Sequence, residues 1–258
     1  MRSPLSITFS VWRALFLREA LARLFSTRTA WFWLLVEPIF HVAFLVFILT
    51  VIRVRTVGGI DTTIWVMVGL LAFFLFRRTG TQVTNAIDAN RALFTYRQVK
   101  PVDTALVRAA LEALLMTVIS SLLLAIATLL GHVPLPDDPL LVMAALGGLW
   151  LFGLGFGLTV SIVSELVPEL GRIIKLLMMP LYFLSGVIFP ISGVPQPYRD
   201  ILLMNPITHG LEATRLGFSS YYHAVPELSM SYLYGFALCS IFFGLTLNRR
   251  FALRLVTQ

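Results

Sequence analysis

The sequence has few charged residues and a single cysteine among its 258 residues. Asp, Glu, Lys and Arg together make up 13% of it, whereas soluble domains carry roughly 25%. Cys239 alone cannot form a disulfide within the chain, so cysteine use does not indicate a redox compartment. A secretory signal peptide is not expected, because Arg13, Arg18 and Arg23 interrupt the N-terminal apolar stretch. With 58% hydrophobic residues, the composition indicates a polytopic membrane protein.

Motifs for catalysis, metal binding and nucleotide binding are also missing from the sequence. The glycines at 147, 148, 153, 155 and 157 follow no predicted strand and lead to no Gly-Lys-Ser/Thr ending. Gly153 and Gly157 instead form a small-xxx-small pair, which is typical of close helix packing in membranes. His209 and Glu212 are three residues apart, but two potential ligands without a third make a poor metal site. We therefore expect no catalytic residue, metal or cofactor in this chain; if ATP drives its function, another polypeptide must bind the nucleotide.

Six apolar runs are long enough to cross a bilayer, since a hydrocarbon core of ~30 Å takes about 20 helical residues at ~1.5 Å per residue. They cover about residues 31–52, 62–82, 104–130, 140–164, 170–189 and 230–247. The second run is the weakest because Arg77 and Arg78 lie inside it. The pattern predicts one all-α transmembrane domain over residues 1–258 with six spans.

Lysines and arginines are distributed unevenly around these runs. Most of the 20 lie in the N-terminal arm, in the connections after the second and fourth runs, and in the C-terminal tail. The opposite side holds only Arg53, Arg55, Arg199 and Arg215. By the positive-inside rule both termini are cytoplasmic, and six spans satisfy this orientation. The net charge of +7 is therefore interpreted as a signal of membrane orientation rather than of a nucleic-acid partner.

The N-terminal arm, residues 1–29, has leucines at helical spacing. Leu17, Leu21 and Leu24 recur at i, i+4 and i+7, with Arg18 and Arg23 off that stripe. This pattern predicts an amphipathic helix that lies along the cytoplasmic membrane surface. The alternative is that the arginines serve only as an orientation signal.

Apolar and aromatic side chains also stand among the charges of residues 90–101, on the expected cytoplasmic side. Leu93, Phe94 and Tyr96 would not be exposed to water without a partner. We therefore expect a short amphipathic helix that inserts into a groove on a cytoplasmic protein. A loop that lies against the membrane is the alternative.

The chain stays apolar after the fifth run instead of turning polar. Prolines and glycines interrupt residues 185–197, apolar residues resume at 201–204, and Asn205-Pro206 breaks the pattern again. This predicts two short helices, about 194–203 and 206–217, within a region (190–228) that enters the bilayer from the outer side without crossing it. Such backbone is tolerated at membrane depth only where protein buries it or water lines it. The segment therefore points to a conduit.

Glu37, which precedes Pro38, is the costliest residue of the first run. An acidic residue at a helix centre in a membrane costs about +2.5 to +3.5 kcal/mol, so Glu37 needs a partner or a water-lined path. Arg77 or Arg78 would provide the partner, unless both arginines snorkel to the cytoplasmic headgroups. Tyr182 belongs to a group of tyrosines near the outer ends of the last two runs, which form an interfacial belt or line an exit for sugar faces.

A set of motifs follows in order along nearly the whole chain. They are Ala14-Leu15-Phe16-Leu17-Arg18-Glu19 with Arg23; Trp33 with Glu37-Pro38; Phe94-x-Tyr96-Arg97-x-Val99-Lys100-Pro101-x-Asp103; Pro180-Leu181-Tyr182-Phe183-x-Ser185; Phe189-Pro190 with Pro195; and Asn205-Pro206-x-Thr208-His209 with Glu212 and Arg215. Together they resemble the membrane subunit of ABC-2 type exporters, and most closely the KpsM-type permeases of group 2 capsular polysaccharide export. Two departures affect local geometry: Thr29-Ala30-Trp31-Phe32 replaces the usual residues before the first span's tryptophan, and Ala72 stands where a proline is common.

This resemblance implies a homodimer of permeases with two cytoplasmic subunits that bind ATP and Mg. The complex would export a lipid-linked acidic polysaccharide across the bacterial inner membrane. Membrane lipids and periplasmic export proteins are further expected partners.

The resemblance also implies roles for individual residues. The N-terminal interface helix would include Leu17, Arg18, Glu19 and Arg23. The coupling helix, seated in a cleft of the ATPase, would use Leu93, Phe94, Tyr96, Arg97 and Lys100. Together with the residue patterns above, the resemblance leads us to expect a path along the first and fifth spans at the dimer interface. As conduit or gate residues we expect Glu37, Arg77, Arg78, Tyr182, Phe189, Pro190, His209 and Glu212.

Three alternatives stay open from the sequence. O-antigen and teichoic acid permeases share the Glu-Pro, Phe-Pro and Asn-Pro features, so another lipid-linked glycan is an alternative substrate. A membrane transferase acting on such a glycan would need an acceptor group, for which Glu37 or His41 would be the candidates. A stand-alone channel would be favoured only if no ATPase co-purified with the chain.

Overall fold

The computed structural model describes residues 4–25, 27–51, 56–96 and 98–257. The α-helices of this part of the chain are α1 (Pro4–Phe25), α2 (Ala30–Val51), α3 (Thr62–Thr84), α4 (Pro101–Leu129), α5 (Pro139–Leu166), α6 (Pro168–Leu184), α7 (Tyr198–Leu203), α8 (Pro206–Phe218) and α9 (Met230–Thr257). Two 3₁₀ helices cover Asp88–Thr95, called the inner 3₁₀ helix below, and Ile191–Gly193. The predicted helical class is confirmed for nearly all of the described residues.

A short hairpin between α2 and α3 is the exception to the all-α prediction. Strands β1 (Thr56–Val57) and β2 (Ile60–Asp61) pair antiparallel through a two-residue turn. Gly58 and Gly59 occupy that turn with φ of +57° and +93°, which glycine adopts without a steric penalty. Asp61 then caps α3, because its Oδ1 accepts hydrogen bonds from the N–H groups of Thr63 and Ile64. The hairpin thus fixes where α3 starts.

Five of the described helices are long and apolar enough to cross a membrane: α2, α3, α4, α5, and α9 over Met230–Phe251. The fifth predicted run, 170–189, corresponds to α6, which has 17 residues and ends at Leu184. It ends early because the Ser185 hydroxyl donates to the Leu181 carbonyl at 2.6 Å and Gly186 turns the chain with φ of +72°. The predicted end of this run was therefore wrong by five residues, and a sixth crossing stays a prediction.

Helix α3 forms the centre of the molecule, although its sequence is the least apolar of the five candidate spans. Trp65, Phe73, Phe74 and Phe76 are each at most 1% exposed in the main hydrophobic cluster. Helices α2, α4, α5 and α8 all contact α3. This position explains how a helix with two adjacent arginines is accommodated: most of its surface contacts protein.

The glycines of α5 confirm the predicted close packing of helices. A Cβ at Gly157 would lie 2.6 Å from the Val83 Cβ, and one at Gly153 would lie 2.8 Å from the Phe76 carbonyl oxygen. On the other side, a Cβ at Gly155 would lie 2.6 Å from the Ile241 backbone nitrogen of α9. Helix α5 is therefore in backbone contact with α3 and α9, where no larger residue fits.

Helices α2 and α6 are attached loosely by comparison. Among their described residues, α2 buries only Pro38, Val42 and Leu45, and α6 buries only Gly171. Large side chains such as Phe40, Phe47 and Met179 are at least 66% exposed. The outer faces of α2 and α6 thus lack a protein neighbour in the single chain.

Two short helices follow α6 close to the predicted bounds. Helix α7 covers Tyr198–Leu203 and α8 covers Pro206–Phe218, against predictions of about 194–203 and 206–217. Asn205 separates them: its Oδ1 caps α8 through the Ile207 N–H, and its Nδ2 donates to Ser185 Oγ at 2.9 Å. The break at Asn205-Pro206 is confirmed, whereas entry of these helices into the bilayer stays a prediction.

Candidate functional site

An open cavity of about 1050 Å³ lies between α2 and α6, which are the first and fifth predicted spans. Aromatic and aliphatic side chains of both helices form most of its wall, and its charged lining residues are Glu37, Arg77 and Lys175. We call this cavity the groove. A largely apolar groove that is open to one side and has few charges suits loose contact with a ligand better than tight binding at one point.

Glu37 and Arg77 face each other in the groove. Arg77 Nη2 lies 3.4 Å from Glu37 Oε1, and the Arg77 guanidinium lies over the Phe74 ring at 4.7 Å from its centroid. The Glu37 side chain is 60% exposed and that of Arg77 is 32% exposed. The prediction that Glu37 needs a partner is confirmed, and Arg77 provides it.

Tyr182 joins α6 to α2 deeper in the groove. Its hydroxyl lies 3.2 Å from Nε2 of His41, and its ring packs edge-on against Phe73 with centroids 5.2 Å apart. Phe189 and Pro190 are half-buried in the chain that follows α6 and are not among the residues that line the groove. The structure therefore places Tyr182 in the groove and puts Phe189 and Pro190 beyond its end.

A second group of charged residues lies between α1, α3 and α4. Its members are Glu19 and Arg23 of α1, Arg78 and Gln82 of α3, and Arg108 and Glu112 of α4; we call them the inner ion cluster. Glu112, which is fully buried, binds Arg23 with Oε1 and Arg78 Nε with Oε2, the latter at 3.1 Å. Glu19 binds Arg23 at 3.4 Å and Arg108 at 2.8 Å. Each carboxylate thus holds two arginines.

Arg108 and Arg23 also bind backbone or amide groups of α3. Arg108 Nη1 donates to the carbonyls of Gln82 and Asn85 at 3.3 and 3.0 Å, at the C-terminal end of α3. Arg23 Nη2 donates to Gln82 Oε1 at 2.7 Å. Burial lowers the pKa of Arg23 to about 10, so it stays charged at neutral pH. The cluster therefore joins α1 to the inner end of α3.

This cluster places Arg78 outside the groove and adds two residues to those expected. Arg78 points away from the groove and does not line it, because successive residues of a helix point about 100° apart and Arg77 takes the groove side. Glu112 and Arg108 were not singled out from the sequence. An acidic residue inside the apolar third run, with Arg108 four residues earlier, was the signal that would have identified them.

Helix α1 divides into two faces as predicted, although its arginines do not all lie outside. Leu17 and Leu21 are 52% and 58% exposed, whereas Leu15 and Glu19 pack against the protein. Arg18 is exposed but donates to Asn90 Oδ1 at 3.1 Å. Trp12 Nε1 donates to Asp103 Oδ1 at 2.9 Å, just after the segment predicted to couple to a partner. Contact of the leucine face with lipid stays a prediction.

The segment predicted as a coupling helix over 90–101 has different bounds. Its helix is the inner 3₁₀ helix, Asp88–Thr95, and Tyr96 is already extended. Phe94 is 5% exposed and packs with Ile87 and Ile162 in the chain's own core, so it is not free to fill a partner's groove. Leu93 is half-buried, Tyr96 is 65% exposed, Lys100 is exposed, and Arg97 lies outside the described residues.

An ion pair also fastens the inner 3₁₀ helix to the bundle. Arg91 Nη2 lies 2.7 Å from Glu165 Oε2 at the end of α5 and 2.9 Å from Asp88 Oδ1. Hydrogen bonds to these two carboxylates raise the pKa of Arg91 above its ordinary value. The segment is thus anchored by Phe94 and Arg91 and leaves Tyr96 as its large exposed aromatic residue.

Glu212 and His209 lie in a buried cluster of α8 rather than in the groove. Arg215 is 0% exposed, stacks on Trp65 at 3.7 Å, and donates to the carbonyls of Gly186 and Val187 at 2.9 and 3.1 Å. Glu212 accepts from Arg215 at 3.2 Å and from the Tyr222 hydroxyl at 2.8 Å. Burial raises the pKa of Glu212 above its ordinary value. Glu212 thus pairs with Arg215, which in turn holds α8 to α3 and to the chain after α6, and a conduit role for Glu212 stays a prediction.

His209 has a similar structural role. The Ser229 N–H donates to its Nδ1 at 3.2 Å, so its Nε2 carries the proton and donates to the Leu203 carbonyl at 2.8 Å. Burial lowers the pKa of His209 below its ordinary value, which agrees with a neutral ring. His209 therefore ties α7 and the start of α9 to α8, and its expected place in the conduit stays a prediction.

Comparisons with known proteins match almost the whole chain. A family model described as ABC-2 type transporter matches residues 10–219. The chain is 34% identical over 236 residues to the polysialic acid transport protein KpsM of Escherichia coli, covering 92% of this chain and 91% of that protein. It is 27% identical over 217 residues to the capsule polysaccharide export inner-membrane protein BexB of Haemophilus influenzae, covering 84% and 82%. The corresponding protein CtrC of Neisseria meningitidis is 27% identical over 208 residues, covering 80% and 77%.

Proposed function

We propose, because the chain belongs to the ABC-2 type transporter family, that it is the membrane-spanning permease of an ATP-driven exporter of capsular polysaccharide. Its substrate would be a lipid-linked acidic polysaccharide, moved outward across the bacterial inner membrane. Names of relatives that refer to polysialic acid transport and capsule polysaccharide export support this substrate class. The observation that carries the proposal is the groove between α2 and α6, two helices that bury few of their described residues in the single chain.

The groove suits a polymer that must slide. Its aromatic walls offer flat apolar faces to sugar rings, and Arg77 has five N–H donors of which Glu37 occupies one. An acidic sugar would compete with Glu37 for this guanidinium as it passes. No deep pocket would hold the chain at one place, which is required because tight binding would stall translocation.

The same faces support a homodimer. The exposed aromatic residues of α2 and the apolar residues of α6 lie on either side of the groove, so a second copy on this side would enclose it. A closed path would then form between two copies. Each copy would have six spans and both termini in the cytoplasm. Periplasmic export proteins would meet this path at its outer end, near α7 and α8.

The power source would be a pair of cytoplasmic subunits that bind ATP and Mg. The inner 3₁₀ helix, with Tyr96 exposed beside it, is the surface proposed to contact them, and α1 would lie at the membrane surface next to it. Phe94 and Arg91 would contribute by fixing this surface to α5. Movement of the partner would thereby reach the bundle.

The proposal is tested by co-expression of this chain with its ATP-binding subunit in a strain whose own capsule permease is deleted. We expect the two proteins to co-purify, ATP turnover to depend on both, and acidic polysaccharide to reach the cell surface, as measured with a polymer-specific antibody. Tyr96→Ala, which alters the exposed aromatic residue and spares the Phe94 anchor, should reduce export while the permease remains in the membrane. Export without the ATP-binding subunit would contradict the proposal and favour a stand-alone channel.

A point substitution tests the groove itself. Arg77→Ser should lower the surface yield of an acidic polymer, whereas the matched control Arg249→Ser alters an exposed arginine at the inner end of α9. A normal surface yield from Arg77→Ser would show that Arg77 does not contact the polymer and serves only as the partner of Glu37.

A further inference from the structure

The inner ion cluster lies between the inner 3₁₀ helix, which is proposed to contact the ATP-binding subunit, and the groove, which is proposed to hold the polymer. At one end, Arg18 is adjacent to Glu19 in α1 and donates to Asn90 of the inner 3₁₀ helix at 3.1 Å. At the other end, Arg78 is adjacent to Arg77 in α3, and Arg77 binds Glu37 in the groove. The described contacts thus form an uninterrupted path from the surface proposed to meet the ATPase to the wall of the groove.

Within the cluster, each step joins a different pair of helices. Arg23 of α1 binds Glu112 of α4, and Glu112 binds Arg78 of α3 at 3.1 Å. The side chains of all three residues are at most 15% exposed. Ion pairs shielded from water in this way are screened little by salt and have defined geometry. A shift of α1 or α4 therefore changes the position of Arg78.

Arg78 is also placed to pass such a shift on. Arg77 and Arg78 are successive residues of one helix and point about 100° apart, one to the groove and the other to the cluster. Because they share a rigid backbone, rotation of α3 that is driven through Arg78 moves the Arg77 guanidinium relative to Glu37. Contact with the groove would change even though Arg78 itself never touches it.

We propose that the inner ion cluster is the mechanical link between the coupling surface and the groove, with Arg78 as its positioning residue. This inference rests on the proposed function, since it presupposes an ATP-binding partner. It assigns Arg78 to the coupling of ATP turnover to export rather than to contact with the polymer. Coupling between two sites requires a perturbation test, because spatial continuity alone does not establish it.

The charge count of the cluster allows folding and coupling to be separated. Its ionic members are three arginines and two glutamates. Arg78→Gln leaves two arginines with two glutamates, so no carboxylate is left without a cation and the remaining charges balance. Glu112→Gln leaves three arginines with one glutamate and should therefore impair folding. Arg78→Gln therefore tests coupling, and Glu112→Gln serves as the reference for a variant whose folding is impaired.

The experiment uses the full permease with its ATP-binding subunit, and it measures assembly, ATP turnover and surface polysaccharide in parallel. For Arg78→Gln we expect normal co-purification, ATP turnover within about twofold of the wild type, and export per ATP hydrolysed reduced about tenfold. A tenfold change lies within the usual range of coupling between sites, about 5- to 150-fold. Arg78→Lys, which keeps one charged contact to Glu112, should recover part of the export.

Two further variants keep the test decisive if Arg78→Gln fails to assemble. Arg18→Gln cuts the link to Asn90 at an exposed position where folding is unaffected, and it should also lower export per ATP. Arg199→Gln removes an arginine that pairs with Glu227 outside the cluster, and it serves as the matched control.

The inference is overturned by either of two results. One is normal export per ATP in a properly assembled Arg78→Gln or Arg18→Gln complex. The other is a parallel fall of ATP turnover and export, which would place these residues in assembly with the ATPase. Failure of the wild-type complex to export would instead contradict the proposed function and can be distinguished from both.

Discussion

Arg215 should be among the residues on which the stability of the outer region depends most. It is 0% exposed, and its guanidinium contacts Glu212, two backbone carbonyls and the Trp65 ring. Arg215→Met keeps an unbranched side chain over Trp65 but leaves the fully buried Glu212 carboxylate without its cation. Breaking one side of a buried ion pair costs about 3–5 kcal/mol. For a chain of this size, at about 2–4 °C per kcal/mol, the unfolding midpoint should fall by roughly 10 °C.

The double variant Arg215→Met with Glu212→Gln gives the prediction its sharper form. Removing the unpaired carboxylate should restore roughly 1–3 kcal/mol relative to the single variant, because the buried charge is gone. Full recovery is not expected, since the carbonyls of Gly186 and Val187 still lose their donor. The double variant should therefore unfold at a temperature between those of the single variant and the wild type.

Thermal unfolding of the detergent-purified chain, followed by size-exclusion chromatography after stepwise heating, measures these midpoints. Arg199→Met is the matched control, because its pair with Glu227 is partly exposed and worth at most about 1 kcal/mol. A midpoint for Arg215→Met within about 2 °C of the wild type would refute the assignment of Arg215 as the anchor of α8. A double variant less stable than the single one would refute the reasoning about the unpaired carboxylate.

Three further predictions concern packing, pH and the coupling surface. Gly157→Val should lower the unfolding free energy by about 1–3 kcal/mol, because its side chain would overlap Val83, and the same heating assay measures this. Stability should fall as pH decreases below about 6.5, because burial lowers the pKa of His209. The unfolded chain therefore takes up a proton at a higher pH than the folded chain does. Unfolding midpoints at pH 7.5 and 5.5 test this. Phe94→Ala should mainly reduce thermal stability, whereas Tyr96→Ala should mainly weaken co-purification with the ATP-binding subunit.

Each of these predictions has a control in the same chain. Gly235→Ala places a methyl group in open space and should be tolerated; an equal effect of both glycine variants would argue against tight packing of α5 on α3. His223→Gln alters an exposed histidine and should leave the pH dependence intact, whereas His209→Gln should reduce it. If Tyr96→Ala and Phe94→Ala changed the same property, the division between exposed and anchoring aromatic residues would be incorrect.

The sequence was informative where residues close together along the chain determine the structural feature. Glu37 inside an apolar run predicts a compensating cation, and Arg77 provides it. Asn205-Pro206 predicts a break between two short helices, because Asn caps a helix and Pro fits its first turn. Gly153 and Gly157 predict close packing through their spacing. These inferences need only the neighbours along the chain.

Side-chain direction was predicted poorly, because it depends on neighbours that are distant in sequence. Phe94 and Tyr96 are both aromatic residues of the connection between α3 and α4, and packing partners distant in sequence, such as Ile162 in α5, decide which one is buried. Glu212 of α8 was expected among the conduit residues because it belongs to the motif that carries the family resemblance. Its partners are Arg215, three residues further along α8, and Tyr222, and Arg215 is itself placed by stacking on Trp65 of α3.

The burial of α3 has a consequence for how this protein is made. Of its most apolar 18 residues, 83% are buried inside the folded chain, against 17% for α2, and it has the lowest hydropathy of the five candidate spans. Helix α2 can therefore enter the lipid by itself during synthesis, whereas α3 carries Arg77 and Arg78 and depends on partners that are translated later. These partners are α4, which supplies Glu112, and then α5 and α8. A ribosome that stalls or releases the chain before α8 should leave α3 poorly inserted, so early truncation products would be substrates for membrane proteases.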